Sequence, residues 1–193
     1  MNNLLSCPTD CDTGIELGAL PVEQNCISYD LQLSEVSDLF ILPDGATDFL
    51  ASWAGGTPTQ VSGAIDNTNT DNTKAKHLVG IGDVPEYAAD SIDYPKGQSK
   101  EGTKTYTLNF TYYQMDNVSY ATLRALQCGW TGFKFRYADR SGLIYGVAAG
   151  GLVPASVKVT FPKGRGATSY NVAQITINWQ ADGDPERRPN PIA

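Results

Sequence analysis

The side chains that could carry chemistry are few and widely spaced in this sequence. The one histidine, His77, has no second histidine or partnered carboxylate motif nearby, so we interpret it as a strand-surface residue rather than a ligand or an acid–base group. Serine and cysteine side chains lack the adjacent histidine that would activate a nucleophile. Asp90 and Asp93 could form an acid–base pair, but their surroundings are too polar to separate two pKa values. The sequence therefore predicts no enzyme active site.

The four cysteines favour free thiols over a metal site. Cys7 and Cys11 lie close together, but Cys26 and Cys128 add no second pair at zinc-site spacing. Free thiols are typical of a protein made in a reducing cytoplasm. Leu4 to Cys7 resembles a lipoprotein cleavage box, but the residues before Cys7 are too few for a signal peptide. We therefore predict that the protein assembles where it is made.

Two kinds of charged cluster suggest ligand binding, and each has a simpler explanation. The acidic residues Asp10 and Asp12, and those of Asp182–Glu186, lack the spacing and glycine of a calcium loop, so we interpret them as solvated acids. Lys163–Gly166 could cradle a phosphate, but a strand rather than a helix follows it, so a hairpin tip is the better interpretation. The sequence therefore predicts no metal and no cofactor.

Exposed aromatic residues are the remaining candidates for a binding site. Sugars and proteins both stack on such rings, and the sequence offers several in polar surroundings. We interpret this set as having a mixed core and surface role. Its members are Tyr87, Tyr94, Tyr112 and Tyr113.

The elements that would position these residues are mainly strands, and the clearest lie within residues 103–137. Apolar and polar side chains alternate over Tyr106–Tyr112 and again over Phe133–Tyr137, as in strands with one apolar face. Between them, a capping residue, leucines at helical spacing and a following glycine predict a short amphipathic helix over 117–127. Strand, helix and strand with matching apolar faces would form a core.

Shorter patterns predict the other strands. These are the apolar run Leu39–Leu42 and the segments Lys76–Gly82, Leu143–Val147, Val157–Phe161 and Val172–Trp179. Hairpin turns with glycine connect several of them. The predicted core consists of Tyr106, Leu108, Phe110, Leu123, Leu126, Phe133, Phe135, Val157, Val159, Phe161, Ile175, Ile177 and Trp179.

The chain is predicted to form one domain with extensions. An N-terminal arm (1–30) precedes a single β-sandwich domain (31–180), and a charged tail (181–193) follows it. The fold class is mainly β: an antiparallel β-sandwich or flattened barrel with one packed α-helix. Thr47 or Asp48 could cap one further helical turn. Two long polar connections, 55–75 and 83–102, are predicted as loops, and loops of this length suggest contact with partners.

Charge is unevenly distributed along the chain. Residues 1–100 contain 15 acidic and 4 basic side chains, whereas residues 101–193 contain 6 acidic and 10 basic ones. An acidic chain is a poor general ligand for the nucleic-acid backbone, but it could enclose DNA without gripping it. The asymmetry permits copies of the chain to stack acidic surface on basic surface. No apolar run is long enough to cross a bilayer, so no membrane is predicted as a partner.

From Val79 onward, the order of elements resembles the major tail tube protein of long-tailed bacteriophages. In that family a first strand pair leads to a long extended loop, followed by a strand rich in threonine and aromatic residues, one helix, a hairpin and two further strands. The matching segments here are Lys76–Gly82, Val84–Gly102, Lys104–Phe110, Asn117–Gln127, Phe133–Gly146, Val157–Phe161 and Val172–Trp179.

The resemblance implies a structural virion protein. Copies of the chain would form hexameric rings stacked around a channel through which DNA passes without specific binding. Polar strand faces would line the channel or join neighbours, and the long loop would reach the next ring. Other tail or head-joining proteins are the further expected partners, and assembly would take place in the host cytoplasm. The candidate subunit-contact residues are Tyr87, Ser91, Asp93, Tyr94, Lys96, Lys100, Asn67, Asn69 and Asp71.

Two other classes of protein fit the same sequence. A capsid-decorating or head–tail joining protein would share the small β core and the arms, but would not polymerise alone. A carbohydrate-binding β-sandwich would use the exposed aromatic rings and an export signal.

Overall fold

The computed structural model describes residues 35–50, 63–68, 72–94, 98–113, 117–128, 132–147, 150–162 and 172–191. These residues contain nine strands and one helix. The elements are β1 (Val36–Pro43), β2 (Lys76–Gly82), β3 (Glu86–Tyr94), β4 (Gln98–Tyr112), α1 (Asn117–Cys128), β5 (Phe133–Asp139), β6 (Leu143–Tyr145), β7 (Ser156–Thr160), β8 (Ala173–Ala181) and β9 (Arg187–Pro189).

The strands form one antiparallel sheet that curls on itself. Its order is β7, β8, β4, β2, β1, β5, β6, β9, and β3 pairs with β4 beside β2. Strands β8 and β5 are four places apart, which would separate them by about 19 Å in a flat sheet. The ring of Trp179 in β8 nevertheless lies 5.2 Å from that of Phe135 in β5. The predicted mainly-β fold with one packed helix is confirmed, and the curled sheet is not closed into a barrel.

The main core lies between the two halves of the curled sheet. Alternate side chains of β4, β5 and β8 face it, because successive strand residues point to opposite faces. Leu123 of α1 is fully buried in this core, and Leu126 packs at its margin. The ring of Tyr120 on α1 lies 4.8 Å from that of Phe161. The predicted core is confirmed, since every predicted member is buried in this cluster or packs against it.

A second, smaller core covers the outer face of β1, β5 and β6. It explains the apolar run of β1, because both faces of that strand are buried. Leu39 and Ile41 face the main core. Phe40 and Leu42 face the second core, where Phe49, from the segment that follows β1, packs over them.

Close packing of β2 on β4 depends on two glycines. Gly80 and Gly82 lie where the ring of Phe110 crosses β2. A Cβ on Gly80 would overlap the carbonyl oxygen of Thr111 and lie 2.8 Å from the Phe110 ring. The glycine is therefore required by close approach of the two strands, and its φ angle is not in the left-handed region.

We expect Gly80→Ala to destabilise the fold by about 1–3 kcal/mol, because the added methyl group must push β4 away from β2. Gly183→Ala is the matched control, since a Cβ there would meet no atom within 4 Å. Urea denaturation of both variants measures the difference. Equal midpoints for the two variants would show that β2 tolerates a side chain at this position.

The structure corrects the prediction of a loop over residues 83–102. Most of this segment is strand: β3 and the first part of β4 form an antiparallel hairpin. Pro85 directly precedes β3 and Pro95 directly follows it. The two prolines therefore lie just outside the ends of a strand. At these positions they remove no hydrogen bond from the interior of the strand.

The C-terminal segment also differs from a simple tail. The last predicted strand ends at Ala181, but Arg187–Pro189 then forms β9 and pairs with β6. Several other predictions lie outside the described residues. These concern the N-terminal arm with Cys7, Cys11 and Cys26, the acids Asp10 and Asp12, most of the 55–75 connection, and the hairpin tip 163–166.

Candidate subunit-contact surface

The β3–β4 hairpin extends beyond the rest of the sheet. Strand β8 accompanies β4 only as far as the pair Lys104–Ala181. The hairpin continues to the pair Tyr94–Gln98. Among the described strands, residues 98–103 of β4 therefore pair with β3 alone. A two-stranded ribbon is marginally stable in water and exposes hydrogen-bonding groups along its edges, so this hairpin is a candidate contact surface.

An irregularity in the register falls where the hairpin leaves the sheet. Ala89 lies opposite Lys104, but Ser91 lies opposite Glu101, so β4 has one residue more than β3 between these pairs. Such a bulge bends a strand and increases its local twist. The extra residue falls at 102–103, directly beyond the last pair with β8. The hairpin can therefore leave the sheet at an angle.

The hairpin brings most of the predicted contact residues together. Tyr87 lies near its base with its side chain 46% exposed, and its ring is 5.5 Å from that of Tyr106. Further along the same hairpin, the backbone register places Ser91, Asp93 and Tyr94 on β3 and Lys100 on β4. The remaining predicted contacts Lys96, Asn69 and Asp71 lie outside the described residues.

Asn67, the other predicted contact residue, is used within the chain. Its Nδ2 donates to the carbonyl oxygen of His77 at 2.8 Å, and its Oδ1 accepts from the His77 amide at 2.7 Å. The side-chain amide therefore pairs with β2 as a residue of a neighbouring strand would. This arrangement satisfies the edge of β2 before its pairing with β4 begins at Gly80.

The outer face of β7, β8 and β4 is a second candidate surface, which we call the polar face. Its side chains are exposed or half-buried, and cross-strand register places them in rows. They hydrogen-bond to one another; for example, Thr107 Oγ1 donates to Asn178 Oδ1 at 2.8 Å, and Asn178 Nδ2 donates to Ser156 Oγ at 2.9 Å. One member is basic and none is acidic. The polar face comprises Ser156, Lys158, Thr160, Gln174, Thr176, Asn178, Gln180, Thr105, Thr107, Asn109 and Thr111.

An apolar strip on β2 borders the polar face. Ile81 lies opposite Thr111, and Val79 follows on the same face of the strand. The two side chains are 42% and 51% exposed, respectively. Exposed valine and isoleucine side chains beside a polar surface are suited to contact with another protein.

Next to this strip, Asp38 and His77 form a hydrogen-bonded pair. Asp38 Oδ1 lies 2.6 Å from His77 Nε2, and the imidazole stacks on Phe40 with ring centroids 4.6 Å apart. Partial burial raises the pKa of Asp38, but hydrogen bonds from His77 and Ser37 lower it by more, so it lies below its ordinary value. The pair joins β1 to β2 at their surface. His77 therefore lies on a strand, where the sequence placed it.

The buried charges of the second core form a cluster that the sequence did not indicate. Arg136 of β5 is fully buried, and its guanidinium donates to both carboxylate oxygens of Asp48, at 2.5 and 2.8 Å. Its Nε donates to the Gly146 carbonyl oxygen at 3.0 Å, and its guanidinium lies 5.1 Å from the centroid of the Phe49 ring. These contacts join β5 to the residue that follows β6 and to the distant segment that follows β1.

The electrostatics of this cluster favour the ionised pair. Burial raises the pKa of Asp48, but the hydrogen bonds from Arg136 and from the Leu50 amide lower it by more. Arg188 lies near both groups and donates from Nη2 to the Leu50 carbonyl oxygen at 2.8 Å. Burial and the charge of Arg136 lower the pKa of Arg188. The cluster is therefore a structural element that holds the segment 48–50 on the sheet.

The possible metal-ligating side chains are dispersed over the described residues. No group of three or more His, Cys, Asp or Glu side chains within them could hold a metal ion. Asp184, which the sequence placed in an acidic cluster, accepts hydrogen bonds from Tyr106 and Lys104. Within this part of the chain, no helix has the length and apolar character to cross a bilayer.

Comparisons of the chain with family models, with curated proteins and with solved structures give no match.

Proposed function

We propose that this protein is a structural virion protein of the tail tube type, which assembles with copies of itself into stacked rings around a channel for DNA. The β3–β4 hairpin is the observation that carries the proposal. It projects from a well-packed sheet. Beyond the pair Lys104–Ala181, β3 and β4 pair only with each other among the described strands, so each has one unpaired edge. The order of elements resembles that of the tail tube family, and this resemblance implies that the segment reaches the next ring.

The physical reason lies in the stability of the hairpin. An isolated two-stranded ribbon is marginal in water, because it buries little apolar surface and leaves hydrogen-bonding groups at both edges. Docking against a second copy would bury those edges and stabilise the ribbon. A projecting hairpin on an otherwise well-packed domain is therefore best explained by an intermolecular contact.

The polar face supports the proposed channel. Binding to DNA backbone depends on Lys and Arg side chains that neutralise phosphates and release counterions. The polar face offers one lysine, Lys158, among hydroxyl and amide groups that bond to one another. Such a surface hydrates well but holds phosphate weakly, which suits a wall along which DNA must slide.

The uneven charge supports stacking of copies. The first 100 residues carry a net charge of −11 and the remainder +4. Contacts between acidic residues of one copy and basic residues of another would attract the copies, and the attraction would weaken as salt screens it.

Electron microscopy of the purified protein, with and without the distal hairpin, tests the proposal. In the variant, Ile92–Lys100 is replaced by Asn-Gly, a two-residue turn that suits the directly paired flanking residues Ser91 and Glu101. We expect tubes from the wild type. We expect the variant to keep its β-rich circular dichroism and cooperative unfolding but to form no tubes, because the contact between rings is gone.

The other outcomes separate the alternatives. Closed rings or single particles from the wild type would favour the joining or decorating protein and overturn the tube. Tubes from the shortened variant would show that the hairpin is not the contact between rings. A monomer that binds sugars on a glycan array would favour the carbohydrate-binding class instead.

A further inference from the structure

The C-terminal segment crosses from one side of the curled sheet to the other. We call residues 182–191 the strap. It starts at the end of β8 and ends beyond β9, which pairs with β6 at the opposite end of the strand order. Its far part is fixed to the sheet: the Asn190 amide donates to the Gly142 carbonyl oxygen at 2.7 Å, and Arg188 donates to Leu50.

The near part of the strap contacts the base of the hairpin. Asp184 Oδ1 accepts a hydrogen bond from the Tyr106 hydroxyl at 2.6 Å and lies 3.4 Å from Lys104 Nζ. Asp182 Oδ1 accepts from Thr103 Oγ1 at 3.3 Å. These three partners are neighbours on β4.

The contacts fall at the bulge and on its sheet side. Lys104 forms the last pair with β8, and the extra residue of the bulge falls at 102–103. Lys104 Nζ also lies 4.2 Å from the ring centroid of Tyr87, so the strap reaches β3 through this cation. At the base of the hairpin, the strap therefore contacts β4 directly and β3 through the Lys104 side chain.

We propose that the strap sets the direction in which the hairpin projects, with Asp184 as the positioning residue. On the proposed function, this direction determines how the hairpin meets the next copy. A bulge alone leaves a two-stranded ribbon free to swing, since nothing else in the described sheet pairs with residues 98–103 besides β3. Two carboxylates of the strap hold the bulge and the adjoining base of the hairpin, Asp182 through Thr103 and Asp184 through Lys104 and Tyr106, and so limit that freedom.

The state of Asp184 is consistent with this role. The hydrogen bond from the Tyr106 hydroxyl lowers the pKa of Asp184 by more than its slight burial raises it, and Lys104 lowers it further. The carboxylate is therefore ionised at neutral pH, and hydrogen bonds to an ionised acceptor are stronger than those to a neutral one.

Hydrogen exchange of the isolated subunit tests the positioning role without any need for assembly. We expect Asp184→Ala to raise the exchange rates of amides in residues 86–103 by roughly three- to tenfold, with those of β5 and β8 unchanged. Tyr106→Phe removes only the hydroxyl and should give a smaller change in the same direction. Glu186→Ala is the matched control: it removes the same charge from an exposed side chain of the strap, and its effect should be negligible.

The outcomes distinguish this inference from the proposed function. Unchanged hairpin exchange in both variants, or an equal increase in every strand, would overturn the positioning role. If hairpin exchange increases while the wild type forms no tubes, the strap positions the hairpin and the tube proposal fails. If the wild type forms tubes and Asp184→Ala forms identical ones despite faster exchange, the link between hairpin direction and assembly is overturned.

Discussion

Replacing Asp48 with alanine is expected to lower the free energy of unfolding by about 3–5 kcal/mol, because it leaves a buried guanidinium without its counter-charge. Arg136 is 0% exposed, and Asp48 supplies acceptors for both of its terminal nitrogens. The remaining contact, from Nε to the Gly146 carbonyl oxygen, does not neutralise the charge. Chemical denaturation of the folded subunit measures the loss.

The two partners of this pair should not be equivalent. Asp48 is 27% exposed and can be hydrated when Arg136 is replaced. Arg136→Met fills similar space with an apolar side chain, so it is expected to destabilise the fold less than Asp48→Ala. Asp44→Ala, at an exposed acid of the same segment, is the control, and its effect should stay within about 0.5 kcal/mol. An Asp48→Ala loss as small as that of the control would contradict the importance of the pair.

The cost of losing Asp48 should also depend on pH. Its pKa is below the ordinary value of 3.8 in the folded protein, because the hydrogen bonds that lower it outweigh the effect of burial. A carboxylate of this kind stabilises the fold above its unfolded-state pKa, and the stabilisation is lost as the pH falls through the lower folded-state pKa. The difference between wild type and Asp48→Ala should therefore be constant near neutral pH and narrow below about 3.8.

The sequence predicted the main core because its strands follow a simple rule. In β4 and β8, one face is buried and the other is polar and exposed or half-buried, so apolar residues recur at every second position. Phe133, Phe135 and Tyr137 of β5 follow the same alternation in sequence. The helix was predictable for a similar reason, since its leucines recur at helical spacing. Such patterns can be recognised in the local sequence because each of these elements packs one apolar face into the main core.

The second core could not be predicted from the same rule. Arg136 alternates with Phe135 and Tyr137 as a solvent-facing residue would, yet it is fully buried. The cause is a segment far away in sequence: residues 48–50 fold over the outer face of β5 and bring Asp48 to the guanidinium. Local sequence indicated Asp48 only as a possible helix cap. No spacing rule connects two residues 88 positions apart.

The hairpin and the strap were missed for a different reason. The segment that forms β3 and the distal part of β4 is polar, and no apolar face marks it as a strand. Its strand structure comes from hydrogen bonds between backbone groups, and these place little constraint on which side chains occur there. The prolines beside β3 mark its ends, and this was the one available signal. The strap carries no apolar pattern either, because its near end is held by two acids that accept hydrogen bonds from two hydroxyl groups and a lysine.

Trp179→Ala is the second substitution with a large expected effect, about 3–5 kcal/mol. The indole stacks on Tyr106 with centroids 5.1 Å apart, and lies 5.2 Å from Phe135 and 6.1 Å from Tyr137. Tyr106 belongs to β4 and the other two rings to β5. The indole thus joins the two halves of the curled sheet, and its removal opens a cavity that only a change in curvature could fill.

Two controls distinguish the loss of this contact between the two halves of the sheet from the general effect of removing an aromatic ring. Tyr113→Ala removes a ring that is 48% exposed, so it is expected to cost less than about 1 kcal/mol. Trp179→Phe keeps a ring in place and should cost less than Trp179→Ala. Because Tyr106 also bonds to Asp184, the alanine variant should loosen the base of the hairpin as well, which hydrogen exchange in residues 86–103 would detect. Full stability with an intact hairpin in Trp179→Ala would mean that contacts other than this ring hold the sheet in its curl.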